Sequence, residues 1–119
     1  MYKRQHGYWT LPAGFLENQE SIEEGALRET EEEAKLRVSD VKLFTILSVP
    51  HIDQIYTFFT GKVVNYDFGP TPESSEVKLF KYDDIPWEEL AFPTVIKTIK
   101  LFLERGDDKI INEVLRPKI

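Results

Sequence analysis

The chain contains no cysteine. Disulfide bonds and thiolate zinc sites are therefore excluded, and the reducing cytoplasm is the expected location. No apolar run approaches the roughly 20 residues that a membrane-spanning helix needs, and no signal-peptide pattern opens the sequence. We therefore expect a cytoplasmic protein that has no membrane partner.

Positive charge is also scarce, with 15 Lys and Arg residues against 21 Asp and Glu residues and a net charge of −6. Such a surface argues against a general binder of nucleic acids or anionic membranes. A phosphate-bearing substrate would approach a negative protein, so a metal ion would have to supply the local positive potential. The length of 119 residues, 41% of them hydrophobic, predicts one compact domain that spans residues 1–119.

The most informative stretch begins at Gly14 and continues into a helix crowded with carboxylates. Ser21 has Glu24 three residues downstream, which is the form of a capping box. The following residues are mostly strong helix formers without proline, so the sequence predicts a helix over Ile22–Lys35. At about 100° per residue, one face of that helix carries Glu29, Glu32 and Glu33.

Three neighbouring carboxylates repel one another by a few tenths of a kcal/mol per exposed pair. A cation or solvent must therefore compensate them. Glutamate oxygens that project together are the ligands that hard ions such as Mg²⁺ or Mn²⁺ prefer. Arg28 lies four residues before Glu32 and four after Glu24, so it can bind both. A solvated acidic face is the alternative that an acidic run alone leaves open.

The whole segment resembles the Nudix box, the signature of Nudix hydrolases. Gly14, Glu20 and the run Arg28–Glu33 fall at matching positions, and the preceding Trp9–Gly14 is similar to the family's entry into the box. Lys35 stands where the family usually has a glycine near the helix end. We expect this lysine to change the turn there without removing a metal ligand.

The resemblance implies an α/β Nudix fold, in which a mixed β-sheet is sandwiched between the Nudix helix and a C-terminal helix. Hydrophobic patterning predicts three strands after the Nudix helix, at Lys42–Val49, Ile55–Val64 and Val77–Tyr82. Residues 37–41 are expected to turn the chain, and Gly61 is a candidate bulge. The C-terminal helix is predicted over Thr94–Arg105. The remaining residues are ambiguous, with apolar positions that suit a further helix.

Residues 1–8 are short and polar, whereas Nudix domains ordinarily place an apolar strand that ends in a basic residue before this point. Only Lys3 and Arg4 stand where that strand would finish. We therefore expect a domain truncated at its N-terminus, either a fragment or a short form, unless the sheet position is filled in another way. An open sheet edge would pair with a second chain, which predicts a homodimer.

The resemblance also implies roles for individual residues in Mg²⁺-dependent cleavage of a diphosphate, with Mn²⁺ a possible replacement. The implied metal ligands are Glu29, Glu32, Glu33 and the backbone carbonyl of Ala13. Glu20 and Arg28 would orient those ligands, and Gly14 would let the loop pass close to the metal. Either Glu73 or Glu76 would be the distal ligand or base. We favour Glu76 because the adjoining strand fixes it.

An ordered set of short segments between Leu11 and Phe92 resembles Nudix proteins that are ADP-ribose or FAD pyrophosphatases. This implies a small nucleotide substrate, and the negative net charge predicts no nucleic-acid partner. The candidate substrate contacts are Trp9, Glu17 and Phe92, of which the two aromatic rings can stack on a base. The alternative is a non-catalytic Nudix domain that binds a nucleotide as a sensor or interaction module. The missing first strand and Lys35 favour that alternative.

Overall fold

The computed structural model describes residues 1–4, 7–65, 67–72 and 74–117. In chain order the elements are β1 Tyr2–Arg4, β2 Trp9–Thr10, α1 Ile22–Ala34, β3 Val38–Val49, β4 Gln54–Val63, β5 Ser74–Val77, α2 Pro93–Arg105 and β6 Ile111–Val114. Short 3₁₀ turns lie at Pro50–Ile52, Tyr82–Asp84 and Trp87–Glu89. Within these described residues, neither 13-residue helix has the length that crossing a membrane requires.

Helix α1 begins where the sequence predicts it. The Ser21 side chain accepts a hydrogen bond from the Glu24 amide, and the Glu24 side chain accepts one from the Ser21 amide, each over 3.0 Å. The capping box is therefore confirmed. The helix ends at Ala34, one residue earlier than predicted, because Lys35 adopts a left-handed conformation with φ of 55°. The lysine thus occupies a backbone geometry that glycine adopts most readily, so the expectation that it changes the turn is wrong.

Within the described residues the strands form two three-stranded sheets. One has the order β2-β1-β5 and is antiparallel throughout. The other has the order β4-β3-β6, in which β3 pairs antiparallel with β4 and parallel with β6. The α/β class is confirmed, and the β4-β3-β6 sheet is mixed as expected. The strands are nevertheless divided between two sheets and not joined in one.

The β3–β4 hairpin begins earlier than the sequence predicts. Ser39 pairs with Lys62 and Lys42 pairs with Thr60, so two residues of β3 lie opposite Gly61 alone. A bulge therefore lies at Gly61, but its extra residue belongs to β3. A Cβ atom on Gly61 would lie 3.2 Å from the Ser39 carbonyl oxygen. The prediction that residues 37–41 form a turn is wrong for residues 38–41, because they belong to β3, in which Val38 and Ser39 already pair with β4.

The N-terminal residues fill the sheet position that we expected to be open. In β1, Tyr2 pairs with Thr10 on one side and with Val77 on the other. Strand β1 therefore lies between β2 and β5. Backbone hydrogen bonds to both neighbours hold it in the sheet, although it lacks the apolar pattern that we expected there. The argument for a dimer from an open edge at this position does not hold, and the homodimer stays a prediction.

The last strands also differ from the sequence predictions. Strand β5 covers Ser74–Val77 and not Val77–Tyr82. The C-terminal apolar residues form β6 and no helix, since Ile111 pairs with Thr45 in a parallel ladder. The helical interpretation was wrong because pairing with a distant strand decides the conformation of a short apolar segment.

The core is built where β3, β4 and α2 meet. Leu47, Phe58 and Val95 form a buried cluster, and the partly buried residues packed against it are Leu11, Tyr56, Ile99 and Leu115. Helix α2 begins at Pro93, one residue before the predicted Thr94, and ends at Arg105 before Gly106, as predicted. Both helices contribute side chains to an apolar cavity of about 370 Å³ against β3 and β4. Ala26, Leu27 and Thr30 are the residues of α1 that line this cavity, so that side of the helix faces the sheet.

Candidate active site

The loop before α1 is joined to the second half of that helix by Glu33. The Ala13 amide donates a hydrogen bond to Oε2 of Glu33 over 2.8 Å. Glu33 is only 5% exposed, although it carries a carboxylate. A buried carboxylate needs such a partner, so this contact fixes the loop against the helix. The Ala13 amide makes the contact here, whereas the sequence prediction concerned its carbonyl.

Gly14 passes close to Glu29. A Cβ atom on Gly14 would lie 2.4 Å from Cδ of Glu29 and 2.5 Å from its Oε1 atom. Any side chain at position 14 would therefore require the carboxylate to move. The absence of a side chain lets the loop backbone approach the acidic face of α1.

Arg28 lies among four carboxylates. Its Nε atom is 2.6 Å from Oε2 of Glu20, and its Nη2 atom is 3.0 Å from Oε1 of the same residue. Its Nη1 atom is 2.6 Å from Oε1 of Glu29 and 3.1 Å from Oε2 of Glu32. The same Nη1 atom is 3.4 Å from Oε1 of Glu17. The structure thus brings Arg28 together with two predicted metal ligands and with Glu20.

These contacts set the charges of the cluster. The hydrogen bond from Arg28 lowers the pKa of Glu20 below its ordinary value, and the Glu17 amide lowers it further. Hydrogen bonding to Glu20 raises the pKa of Arg28 above its ordinary value. Both groups are therefore ionised at neutral pH. Four carboxylates around one guanidinium leave a net charge of −3 at this place.

The donor set fits a hard divalent cation in its chemistry. Glu29, Glu32 and Glu33 offer carboxylate oxygens on one stretch of helix, beside a cluster that one guanidinium does not neutralise. In the part of the chain that is described, no group of three or more His, Asp or Glu side chains is arranged to hold a metal ion. Glu29 and Glu32 contact Arg28, and Glu33 contacts Ala13. Holding an ion between these three carboxylates therefore requires their side chains to rotate.

The loop before β5 is tied to the end of α1. Ser74 Oγ donates to the Glu33 carbonyl over 2.9 Å, and the Thr71 hydroxyl donates to the same oxygen over 3.3 Å. Glu73 lies outside the described residues, although Thr71 before it and Ser74 after it contact the helix end. Glu76 is exposed on β5, opposite Lys3. The choice between the two glutamates therefore stays a prediction.

The candidate substrate residues have different surroundings. Trp9 is 6% exposed, and its ring meets Phe80 edge-on with centroids 4.8 Å apart, so its faces are not open to a base. Phe92 is 40% exposed, and the Arg4 guanidinium carbon lies 5.0 Å from its ring centroid. The exposed Glu17 contacts Arg28 at its Nη1 atom. Of the two aromatic candidates, only Phe92 offers a ring to solvent.

Sequence reasoning missed two features of this region. Phe15 is 83% exposed beside Gly14, and its carbonyl accepts a hydrogen bond from Arg28 over 3.1 Å. The sequence signal that could have indicated Phe15 was its position within the segment that resembles the Nudix box. Ser74 and Thr71 were missed because small hydroxyl residues in a turn-rich loop show no periodicity.

Comparison with protein families and solved structures supports the family and the fold. The family model of the NUDIX domain matches residues 1–102. A crystal structure of a NUDIX hydrolase from Nitrosomonas europaea is 40% identical, with a TM-score of 0.88, and the match covers 98% of this chain and 70% of that one. An ADP-ribose pyrophosphatase from Streptococcus suis is 23% identical, with a TM-score of 0.76 and coverage of 96% and 87%. At that identity, the second structure shows the fold alone.

The curated relatives are longer proteins. The NAD-capped RNA hydrolase NudC of Escherichia coli is 29% identical over 85 residues, which are 71% of this chain and 33% of NudC. NudC of Salmonella schwarzengrund matches to the same extent. The chain thus spans about a third of the length of these relatives.

Proposed function

We propose, since the chain belongs to the Nudix family, that it hydrolyses the pyrophosphate bond of a nucleoside diphosphate linked to another moiety. The proposed substrates are ADP-ribose and FAD, and the proposed metal is Mg²⁺. The observation that carries the proposal is the meeting of the Ala13–Gly14 loop with Glu29 and Glu33 on α1. The surplus negative charge there calls for a cation before a pyrophosphate can approach.

In this proposal Glu29, Glu32 and Glu33 hold the metal. When bound, the ion masks phosphate charge as a Lewis acid and lowers the pKa of a bound water. The Ala13 amide restricts the orientation of Glu33, because it occupies one of its two carboxylate oxygens. Glu20 keeps Arg28 in place through two hydrogen bonds. A contact that orients a metal ligand, such as that of the Ala13 amide with Glu33, usually affects metal affinity by 10–100-fold.

A carboxylate from the loop before β5 completes the proposed machinery. Glu73 or Glu76 would act as the distal ligand or as the base that takes a proton from the attacking water. The hydrogen bonds from Ser74 and Thr71 to the Glu33 carbonyl support this role, because they hold the loop against the helix end.

The proposed substrate class rests on a shared chemical unit. ADP-ribose and FAD both contain adenosine diphosphate joined to a second group, so one site can accept both. Phe92 offers a partly exposed ring for stacking on a base, which the buried Trp9 does not. The NudC relatives act on NAD-capped RNA, as their name states. The net charge of −6 favours a free dinucleotide over an RNA chain for this protein.

The test is hydrolysis of ADP-ribose, FAD and NADH in Mg²⁺, compared with the same reactions in EDTA. We expect turnover only with the metal. We expect Glu32→Gln and Glu33→Gln to slow turnover by about 100-fold or more, the scale on which losing one electrostatic group at a reacting centre acts.

Glu31→Gln is the matched control, because Glu31 belongs to the same acidic run. It is exposed and lies 3.8 Å from Arg37, away from the Ala13–Gly14 loop contacts. Its rate should equal that of the parent protein. If the Glu32 and Glu33 variants also keep the parent rate, these residues are not metal ligands.

A non-catalytic nucleotide-binding domain is the second candidate. One observation favours it: Glu29 and Glu32 are already paired with Arg28. The argument from a missing first strand no longer supports it, because β1 is present. Nucleotide binding in EDTA combined with no turnover in Mg²⁺ would establish this candidate over the enzyme.

A further inference from the structure

The Arg28 guanidinium presents two edges to two different sets of partners. One edge consists of Nε and Nη2, which face Glu20 and the Phe15 carbonyl. The other edge is Nη1, which faces Glu29, Glu32 and Glu17. This division has a consequence for metal binding, because Glu29 and Glu32 are proposed ligands.

The first edge is held firmly. Nε and Nη2 bind the two oxygens of Glu20 at 2.6 Å and 3.0 Å, a bidentate geometry that fixes the plane of the guanidinium. The Phe15 carbonyl accepts a further hydrogen bond from Nη2 over 3.1 Å. The side chains of Arg28 and Glu20 are both largely shielded from solvent. None of these three contacts involves a proposed metal ligand.

The second edge occupies the proposed ligands. Nη1 lies 2.6 Å from Glu29 and 3.1 Å from Glu32. A divalent ion bound to these two carboxylates would lie close to the guanidinium, and two cations at such a distance repel each other. The lone pairs of Glu29 and Glu32 that accept hydrogen bonds from Nη1 are not available to the ion at the same time. Arg28 and the metal therefore compete for the negative charge of Glu29 and Glu32.

We propose that Arg28 is a built-in counter-ion that competes with the divalent ion for Glu29 and Glu32. Metal binding releases Nη1 from these two carboxylates, while Nε and Nη2 stay on Glu20 and Phe15. In the metal-free protein Arg28 relieves the repulsion within the acidic cluster, and so weakens the affinity for the ion. The inference rests on the proposed function, since the ion is the one proposed there.

A competing role and a purely positioning role of Arg28 predict opposite changes in metal affinity when Arg28 is replaced. If Arg28 competes, removing its charge strengthens metal binding, because Glu29 and Glu32 lose their other cation. If Arg28 only orients the ligands, removing it weakens metal binding. The sign of the change in the metal dissociation constant therefore decides between them.

The experiment compares Arg28→Gln with Arg37→Gln. Arg37 is the matched control because its exposed side chain pairs with Glu31 over 3.8 Å and contacts no proposed ligand. Mg²⁺ binding is measured by calorimetry and Mn²⁺ binding by electron paramagnetic resonance, both without nucleotide. We expect the dissociation constants to fall by about 5-fold or more in Arg28→Gln, the lower end of typical coupling between sites. We expect no change in Arg37→Gln.

A dissociation constant that rises or stays constant in Arg28→Gln overturns the inference and leaves the proposed function intact. If the parent protein binds neither ion, the proposed function and the inference both fail. Should Arg28→Gln not fold, arginine-labelled parent protein is titrated with Mg²⁺ and followed by NMR. The Arg28 Nη signals should then shift and those of Arg37 should not. Unmoved Arg28 signals at saturating Mg²⁺ contradict the inference.

Discussion

The backbone amide of Ala13 donates a hydrogen bond to Oε2 of Glu33 over 2.8 Å. This contact joins the loop that precedes α1 to the last turn of the same helix. Residues that are 20 positions apart are thereby held together, and Gly14 lies beside Glu29. The proposed metal site depends on this junction.

Gly14→Ala tests the close passage of the loop. The new Cβ atom would lie 2.4 Å from the Glu29 carboxylate carbon, so the carboxylate must swing away. Because Glu29 is a flexible side chain, we expect the free energy of unfolding to change little. Metal affinity and turnover of ADP-ribose should fall by about 10-fold or more, since small misplacements at a reacting centre are costly. Calorimetric Mg²⁺ titration and steady-state kinetics measure this.

Gly69→Ala is the control for that substitution. Nothing lies within 4 Å of a Cβ atom built on Gly69, and its loop also meets the end of α1. Its metal affinity should equal that of the parent. Equal affinities for parent, Gly14→Ala and Gly69→Ala would show that position 14 does not influence Glu29.

Ser74→Ala tests the tie between the β5 loop and α1. Ser74 is 1% exposed, and its hydroxyl donates to the Glu33 carbonyl over 2.9 Å. We expect a loss of about 1–2 kcal/mol in the free energy of unfolding, as for other buried hydrogen bonds. Turnover should also fall, because the loop carries Glu73 and leads to Glu76. Urea denaturation and steady-state kinetics measure the two effects.

Ser75→Ala provides the comparison from the neighbouring residue. The Ser75 hydroxyl donates to the Lys3 carbonyl over 3.3 Å from an exposed position. The free energy of unfolding should change by about 0.5 kcal/mol or less. A loss as large as that of Ser74→Ala would show that the Glu33 contact has no special importance.

Lys35→Gly should stabilise the protein. Lys35 has φ of 55°, and a left-handed conformation costs a residue with a side chain about 1–2 kcal/mol relative to glycine. We expect the melting temperature to rise by a few degrees in a thermal scan. Lys35→Ala removes the same charge but keeps a Cβ atom, so it should bring no rise. If the alanine variant is stabilised equally, the charge and not the backbone is responsible.

Acid should destabilise the fold through Glu20 and Glu24. Hydrogen bonds from Arg28 lower the pKa of Glu20, and those from the Ser21 amide and hydroxyl lower the pKa of Glu24. Their stabilising effect is therefore complete above the unfolded pKa of about 4.3 and is lost as the pH falls through the lower folded pKa. Urea denaturation in EDTA should show stability falling below about pH 4.3.

Ser21→Ala tests how much of this pH dependence comes from Glu24. It removes the hydroxyl that accepts a hydrogen bond from the Glu24 amide and whose hydrogen bonding with the Glu24 side chain lowers the pKa of that carboxyl, so this pKa should move closer to its ordinary value. The acid-induced decrease should then be shallower than in the parent. An unchanged slope would show that the capping box does not contribute to it.

Local patterns predicted α1 and its cap well. Ser21, Glu24 and the following helix formers act within a few residues of one another, so their geometry follows from the sequence alone. The predicted pairing of Arg28 with Glu32 is confirmed, but the predicted pairing with Glu24 is wrong, because Glu24 bonds to Ser21 and Arg28 bonds to Glu20. Helix α2 was predicted for the same reason, since its apolar spacing and Gly106 are local signals.

Contacts between distant segments were not predictable in this way. Strand β1 is polar and is held by backbone hydrogen bonds to β2 and β5. Such pairing does not depend on an apolar pattern, so the sequence of the strand does not reveal it. Strand β6 depends on pairing with β3, more than 60 residues earlier. The Ser74–Glu33 contact bridges 41 positions between a loop and a helix end. In each case the partner lies too far away in the sequence for periodicity to reveal it.

The central claim is that Glu29, Glu32 and Glu33 hold the ion that acts on a pyrophosphate. A crystal structure with Mn²⁺ and a non-hydrolysable ADP-ribose analogue tests it most directly, through the anomalous signal of the metal. We predict a peak about 2.0–2.3 Å from carboxylate oxygens of these residues and next to the analogue's phosphates. Bound analogue without a metal peak among the three glutamates would contradict the claim.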